Sequence, residues 1–354
     1  MSGGVDSSVA AALLVKQGYD VVGIFMKLWA ETTDRTDLVR ENVCCSVEAS
    51  TAARAVAEHL GIPFYVVNFQ EEFKKTVVDY YVSEYEKGRT PNPCVICNRD
   101  IKGEILMRKV LDLKGDYLAT GHYAKIEEKK DGYHFYKGID QNKDQTYFLW
   151  TLNQEKLSRL LFPVGGMIKP DVRRLALKMK LPTAERKESQ GICFIPDRDV
   201  CGFLHRHAKK LTKTGNIIDA HGKKLGLHDG LINYTIGQRE RLGLGGPTAH
   251  YVVELDSKKN ILIVSSDDDL YHKRLTASDV NWLRPVGDAE LGSNLITAKI
   301  RYGHPDESCK VKETKDGVEV EFSSPQRAIT PGQSIVFYLG DEVLGGAVIE
   351  KIKN

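Results

Sequence analysis

Hydrophobic and polar positions follow two different periods along this 354-residue chain. In the first half, apolar stretches of helical length alternate with short apolar runs. Residues 9–14 are all apolar and extend a helix from Ser7, with Gly18 placed as its left-handed cap. Residues 21–26 form a short strand, residues 46–60 a helix closed by Gly61, and residues 64–67 a strand. Residues 69–86 form a long helix, and its aromatic stripe of Phe69, Phe73, Tyr80, Tyr81 and Tyr85 is read as a packing face. A helix at 98–113 and a strand at 117–120 follow. Strands alternating with helices predict an α/β fold with a doubly wound parallel sheet. Ligands bind at the carboxyl ends of such strands, so Met26 and the Thr120-Gly121-His122 turn are candidate walls of a site.

After about Asp197 the period shortens. Residues 199–207 form one more helix, and then short strands and Gly-rich turns take over, as in 226–246. Residues 251–255 and 261–265 form a hairpin. From about Arg274 the chain is almost all β, with strands at 296–302, 309–313, 318–322, 334–338 and 343–349. Lys315-Asp316-Gly317 is a hairpin turn. Closely spaced short strands predict a small barrel. Three domains are therefore expected: an α/β domain at 1–197, a small β-rich central domain at 198–268, and a C-terminal β-barrel at 269–354.

Composition narrows the class. With 42% hydrophobic and 28% charged residues the chain is globular in character. No apolar run approaches the roughly 20 residues of a membrane span, and no membrane partner is expected. A net charge of +2 permits a local basic face without demanding a polyanionic partner. Seven cysteines without a secretory leader point to a reducing compartment, the cytoplasm, and to thiol chemistry rather than a disulfide framework.

Residues 2–8 read SGGVDSS and run directly into the first helix. The glycines let backbone approach a phosphate, and the unpaired amides of a helix start attract anions. No Lys follows in a GK[ST] arrangement, which excludes the Walker A loop. The segment resembles the PP-loop of ATP pyrophosphatases, which split ATP between the α and β phosphates and adenylate an acceptor. That resemblance implies that Ser2, Gly3, Gly4, Val5, Asp6, Ser7 and Ser8 bind ATP, with Met26 and Gly121 lining the adenosine pocket. A loop of this kind follows a buried parallel strand. Only Met1 precedes it here, so an apolar strand of roughly five to seven residues is expected just upstream.

Residues 89–98 read RTPNPCVICN, a proline-stiffened loop entering a helix, with Cys94 and Cys97 in a CxxC pair. SQGICF places Cys193 after a glycine. Thiolates near helix starts have lowered pKa and are better nucleophiles and metal ligands. CxxC alone leaves a redox pair, a zinc half-site and a cluster ligand open. A zinc knuckle needs a second pair at ordinary spacing, and none is present. Cys94, Cys97 and Cys193 together suffice for three irons of a 4Fe–4S cluster with the fourth iron open. Cys44 and Cys45 are read as structural, and Cys201 and Cys309 as buried.

Further motifs occur in one order: GIFMK at Gly23, GRTPNPCVICN at Gly88, ATGHYA at Ala119, KDQTYFL at Lys143, LFPVG at Leu161, GICFI at Gly191, GQRERLGLGG at Gly237, RY at Arg301 and TPGQS at Thr330. Together with SGGVDSS they make the chain resemble, over its full length, the tRNA-specific 2-thiouridylases. The resemblance implies replacement of the wobble-uridine 2-oxygen by sulfur in tRNAs for Lys, Glu and Gln, with ATP and Mg²⁺. It places Asn92, Pro93 and Cys94 around the target base. It assigns His122, Lys143, Asp144, Gln145, Arg301, Tyr302 and Gln333 to tRNA contact. Sulfur arrives by one of two routes. Either Cys193 carries a persulfide from a cysteine desulfurase or sulfur relay protein and Cys97 resolves it, or Cys94, Cys97 and Cys193 hold a 4Fe–4S cluster that delivers hydrosulfide. The family's commoner loop has Asp where this chain has Cys94, which completes the three-thiolate set. Two other readings compete: an amidating PP-loop ligase, for which no glutaminase pattern is visible, and a tRNA-binding protein with a disabled ATP site.

Overall fold

The computed structural model describes residues 1–32, 39–40, 46–188, 191–195, 199–245 and 249–353. Cys44 and Cys45 lie outside the described residues. The chain forms two compact units, one of residues 1–78, 93–198 and 341–343, the other of residues 79–92, 199–340 and 344–354.

In the first unit the helix Val5–Lys16 is buried on several sides, through Val5, Ser8, Val9, Ala10, Ala11, Ala12 and Leu14. This explains its unbroken apolar run, since a helix buried all round needs no polar face. It packs with Val164, Val172, Ala176, Leu181 and Ala184 in one apolar cluster. Gly18 takes the expected left-handed conformation, φ +88°. Strand Gly23–Lys27 pairs in parallel with Phe64–Asn68, Gly23 opposite Phe64. Helix Val47–Leu60 connects them, and Ser46 Oγ accepts from the Ala49 amide at 3.0 Å as its N-cap. A second parallel pair joins Leu118–Ala119 to Leu160–Leu161. The α/β expectation holds.

Three features of this unit depart from the sequence reading. The run from residue 70 is α-helical only over Gln70–Phe73 before becoming π-helical over Lys74–Val78. The helix expected from residue 98 begins at Pro93, passes through a ten-residue π segment at Cys97–Leu106, and ends at Met107–Asp112. Proline suits a first helical turn, where its missing N–H has no partner to lose. Cys94 and Cys97 therefore sit on the helix rather than in the loop before it. The antiparallel hairpin Ala124–Lys129 and Gly132–Lys137 was not anticipated. Its second strand buries only the adjacent pair His134 and Phe135, which breaks the period-2 signal.

The second unit opens with helix Asp79–Tyr85, where the ring of buried Tyr81 packs against Tyr85 and Phe203. The aromatic stripe is a packing face here, as are buried Phe69 and Phe73 in the first unit. Helix Val200–His207 is capped by Asp199, which accepts from the Gly202 amide at 2.9 Å. The hairpin Tyr251–Asp256 and Ile261–Ser265 forms as expected. Its second strand also pairs in parallel with Gly215–Asp219, giving a four-stranded mixed sheet. Six strands then close a barrel in the order Tyr271–Trp282, Gly317–Arg327, Glu307–Thr314, Ile296–Lys299, Ser334–Leu339 and Glu342–Ile352, the last returning to the first. Leu275, Val320, Phe322, Ile335, Phe337 and Ile349 fill its interior. Cys309 is buried there, but Cys201 is only half-buried and accepts from Arg241 Nη1 at 3.3 Å. Its position on the short helix beside the Arg241 turn opens a face that apolar patterning did not reveal. Among the described residues no helix is long and apolar enough to cross a membrane.

Within this unit, the segment leading to the TPNP loop is anchored by charge. Arg89 Nε lies 2.8 Å from Glu84, whose side chain is 8% exposed, and Nη1 lies 2.5 Å from Glu350. Arg89→Met leaves the buried Glu84 carboxylate with Lys87 alone, 2.6 Å away, and removes the cation from Glu350, and is expected to cost about 2 kcal/mol of stability. Denaturant titration of the two proteins checks this.

Candidate active site

The site in the first unit is built around the start of helix Val5–Lys16. Gly4 is its N-cap and supplies no side-chain acceptor. Ser7 Oγ and Ser8 Oγ both turn back to donate to the Gly4 carbonyl, at 3.0 and 2.9 Å. The first-turn amides thus have no side-chain cap, and the helix dipole favours an anion at that end. Asp6, though acidic, does not occupy this role. Lys169 Nζ lies 2.8 and 2.7 Å from its two oxygens, and Tyr123 donates its hydroxyl to Oδ1 at 2.7 Å. Burial and the Asp6 carboxylate raise the Tyr123 pKa, so the phenol stays protonated and donates.

Lys169 is 9% exposed and also lies 3.0 Å from Glu188. Glu188 additionally meets Lys143 at 2.8 Å and Arg173 at 3.6 Å. The hydrogen bond from Lys143, then that from Lys169, holds the Glu188 carboxyl at about 2, against 4.5 for an ordinary glutamate. A depressed carboxylate stabilises the fold above its unfolded pKa and loses that contribution as pH falls through its folded pKa. The melting-temperature gap between wild type and Glu188→Gln is therefore expected to be constant above about pH 5 and to close towards pH 2. Thermal melts across that range check it.

Gly121 is packed flush against the phosphate loop: a Cβ there would lie 2.6 Å from the Ser7 amide nitrogen and 2.7 Å from the Asp6 carbonyl carbon. Next to it, His122 is half-buried, and desolvation of its ring followed by the Lys102 charge lowers its pKa well below 6.5. Lys102 Nζ can only donate, so His122 Nε2 accepts from it at 3.3 Å, leaving Nδ1–H to donate to Thr120 Oγ1 at 2.8 Å. Met26 lies at the carboxyl end of its strand, opposite Val67.

The residues expected to contact tRNA divide in two. Lys143 is 37% exposed at the edge of the Glu188 cluster. Asp144 is buried, and accepts from Thr146 Oγ1 at 2.8 Å and the Gly138 amide at 3.2 Å. Gln145 Oε1 accepts from the Tyr123 amide at 3.1 Å. These two, with His122, hold loops in shape. In the second unit, Gln333 donates to the Thr90 carbonyl at 2.8 Å, whereas Arg301 and the 42%-exposed Tyr302 occupy an open turn between barrel strands. Asn92, also in the second unit, is half-buried.

In the first unit Pro93 is buried and Cys94 and Cys97 are half-buried thiols on the Pro93 helix. Asn98 beside them donates to the Phe148 carbonyl at 3.1 Å, tying that helix to the KDQTYFL segment. Cys193 is a half-buried thiol preceding buried Phe194 and Ile195. Among the described residues no three His, Cys, Asp or Glu side chains are grouped as a metal would require. The three thiols are thus not gathered as a cluster ligand set in this arrangement, and no step below is routed through one.

Sequence reasoning missed Lys169, Glu188, Tyr123 and Lys102. Two of them carried a local signal: Tyr123 stands in the quoted ATGHYA motif, and Pro170 marks a helix start that places Lys169 in its first turn.

Comparison with known proteins agrees with this geometry. Residues 1–197 match a family described as tRNA methyl transferase HUP domain, residues 202–266 one described as tRNA methyl transferase PRC-barrel domain, and residues 272–349 one described as aminomethyltransferase beta-barrel domain. The chain is 47% identical to the tRNA-specific 2-thiouridylase MnmA of Geotalea uraniireducens, over 100% of this chain and 94% of the relative. It is 47% identical to the protein of that name from Carboxydothermus hydrogenoformans, covering 99% and 96%, and 45% identical to that of Acetivibrio thermocellus, covering 99% and 98%. Identity of 45–47% over 99–100% of this chain and 94–98% of each relative, on a chain whose first helix start is left open to an anion, places it in the tRNA-specific 2-thiouridylase family.

Proposed function

We propose that this protein is a tRNA-uridine 2-sulfurtransferase acting in the cytoplasm, using ATP to replace the 2-oxygen of the wobble uridine in tRNAs for Lys, Glu and Gln. The observation that supports it most is the uncapped start of helix Val5–Lys16, with Asp6 turned aside onto Lys169 and Tyr123. An uncapped first turn with its acidic side chain neutralised is suited to the triphosphate. Mg²⁺ accompanies the phosphates and offsets their charge, needing few protein ligands. Met26 and Gly121 border the adenosine.

In the first step the uridine 2-oxygen attacks the α-phosphorus and pyrophosphate leaves. Backbone amides of Gly3 to Ser8 stabilise the charge developing on the phosphates. The poor leaving oxygen is now part of AMP. In the second step a persulfide on Cys193, supplied by a cysteine desulfurase or sulfur relay protein, attacks C2 through its terminal sulfur, and AMP departs. Cys97 thiolate then attacks Cys193 Sγ. The S–S bond to the transferred sulfur breaks, 2-thiouridine is released, and a Cys97–Cys193 disulfide remains for reduction. Asn92, Pro93 and Cys94 border the flipped base. Lys143, Arg301 and Tyr302 contact the RNA, while His122, Asp144, Gln145 and Gln333 shape the loops that do so. The working domains are 1–197, 198–268 and 269–354.

Incubation with ATP, Mg²⁺, a persulfide donor and unmodified tRNA tests the reading on a mercury-containing gel. A retarded thiolated band with one AMP per sulfur supports it. Absence of both overturns it. Full activity in iron-free protein supports the persulfide route, and activity that tracks iron content overturns that route.

A further inference from the structure

Glu188 lies outside the motifs that carry the chemistry, yet it joins three cations: Lys143 at 2.8 Å, Lys169 at 3.0 Å and Arg173 at 3.6 Å. Lys169 in turn holds both oxygens of Asp6 in the phosphate loop, at 2.8 and 2.7 Å. A continuous charge chain therefore runs from Asp6 through Lys169 and Glu188 to Lys143. Its two ends differ in what can reach them. The Lys169 side chain is 9% exposed and enclosed between two carboxylates, whereas that of Lys143 is 37% exposed. An ammonium so placed is open to exchange. A phosphate oxygen binds it with the same charge-assisted hydrogen bond that Glu188 now supplies. A polynucleotide also brings many phosphates and gains from counterion release.

We propose that Glu188 is a positioning residue that holds Lys143 in the RNA-free protein and yields it to a tRNA phosphate on binding, so that RNA occupancy is transmitted through Lys169 to Asp6. The proposal rests on the tRNA-thiolation reading above. When Lys143 leaves, Glu188 loses a cationic partner and draws more strongly on Lys169. Asp6 then holds a smaller share of Lys169, and the start of helix Val5–Lys16 is altered where the triphosphate sits. The chain thus links the polynucleotide and the nucleotide without contact between them. It accounts for a carboxylate among cations that RNA would otherwise claim: Glu188 occupies Lys143 until the correct polyanion displaces it.

Glu188→Gln in the full-length protein separates this role from a structural one, because it moves two readouts in opposite directions. Freed of its carboxylate, Lys143 is expected to bind unmodified tRNA about 2- to 5-fold more tightly in low-salt filter binding, the upper part of the range for an exchanged surface ion pair. The stimulation of AMP formation by tRNA is expected to fall at least about tenfold, because occupancy no longer reaches Asp6. Lys143→Gln is expected to weaken binding, and the Lys143→Gln/Glu188→Gln double variant to bind like Lys143→Gln alone, since the two residues act through one contact. Glu188→Asp, which keeps the charge, is expected to stay within about 1.5-fold of wild type in both readouts and serves if Glu188→Gln folds poorly. The proposal is overturned if Glu188→Gln binds tRNA no more tightly than wild type, if tRNA stimulation is unchanged, or if the double variant binds more tightly than Lys143→Gln. These outcomes in a wild type that thiolates tRNA reject only the positioning role. A wild type that makes no 2-thiouridine rejects the functional reading instead.

Discussion

Cys193→Ser is expected to lower 2-thiouridine formation by more than about a thousandfold, the scale seen when a covalent nucleophile is deleted. A serine hydroxyl cannot carry a persulfide, and no neighbouring group restores the missing sulfur. The fold is expected to survive. Cys193 is only half-buried, and its segment is anchored by the next two residues, Phe194 at 1% exposure and Ile195 at 3%. The Phe194 ring packs edge-on against Phe73 at 5.7 Å. Pyrophosphate release in the first turnover with tRNA is therefore expected to remain within about threefold of wild type, because adenylation precedes the sulfur step and uses the phosphate loop rather than the thiol, while AMP stays on the uridine. The mercury gel reads the first quantity and single-turnover pyrophosphate release the second. Retention of a tenth of wild-type thiolation would overturn the assignment of Cys193, and parallel loss of both activities would show instead that the variant had disrupted the ATP site.

Gly121→Ala is the second large effect. The new methyl would sit 2.6 Å from the Ser7 nitrogen and 2.7 Å from the Asp6 carbonyl carbon, both backbone atoms of the phosphate loop. Backbone in a packed helix start cannot rotate away as a side chain would, so the loop or the Thr120–His122 turn must shift. Either movement displaces the first-turn amides from the geometry that an anion requires. His122 is on the same turn, so its links to Thr120 and Lys102 are strained as well. ATP affinity is expected to fall by at least about a hundredfold, roughly the cost of losing two hydrogen bonds to a charged group. Calorimetric titration with ATP checks this, and tRNA binding by the same variant is expected to be near normal. Unchanged ATP affinity would mean that the nucleotide does not use the start of this helix.

The sequence was most legible where the physics is local. The start at Ser46 and the Gly61 terminus of helix Val47–Leu60 were legible, although the role of Ser46 as the cap, rather than the first helical residue, came from the structure. The barrel was visible because short strands and tight turns recur at close spacing, although its twelve-residue strand Tyr271–Trp282, rich in polar side chains, was not among the strands expected, the first of which begins at 296. Two errors share a cause. The CxxC pair was placed before its helix because the prolines read as loop and Asn98 as the helix start, whereas Pro93 is itself in the first turn. Cys201 was judged buried from apolar neighbours, while its exposure depends on the Arg241 turn, forty residues away.

The chain by itself determined the order and chemistry of the working parts: the phosphate-loop segment, the CxxC pair, Cys193 and the motifs between them. Each is a contiguous stretch whose residue types act on their immediate neighbours, so linear spacing carries the information. The tertiary structure decided which charges meet. Lys169 lies 163 residues from Asp6, and Lys143 lies 45 residues from Glu188. No periodicity encodes such pairs, because a salt bridge depends on where the backbone brings two side chains and not on the residues beside them. The same holds for the parallel pairing of Ile261–Ser265 with Gly215–Asp219. Motif residues such as buried Asp144 and half-buried Gln145 and His122 took their roles from partners elsewhere in the fold, which turned their polar atoms inward to hold the loops that present the site.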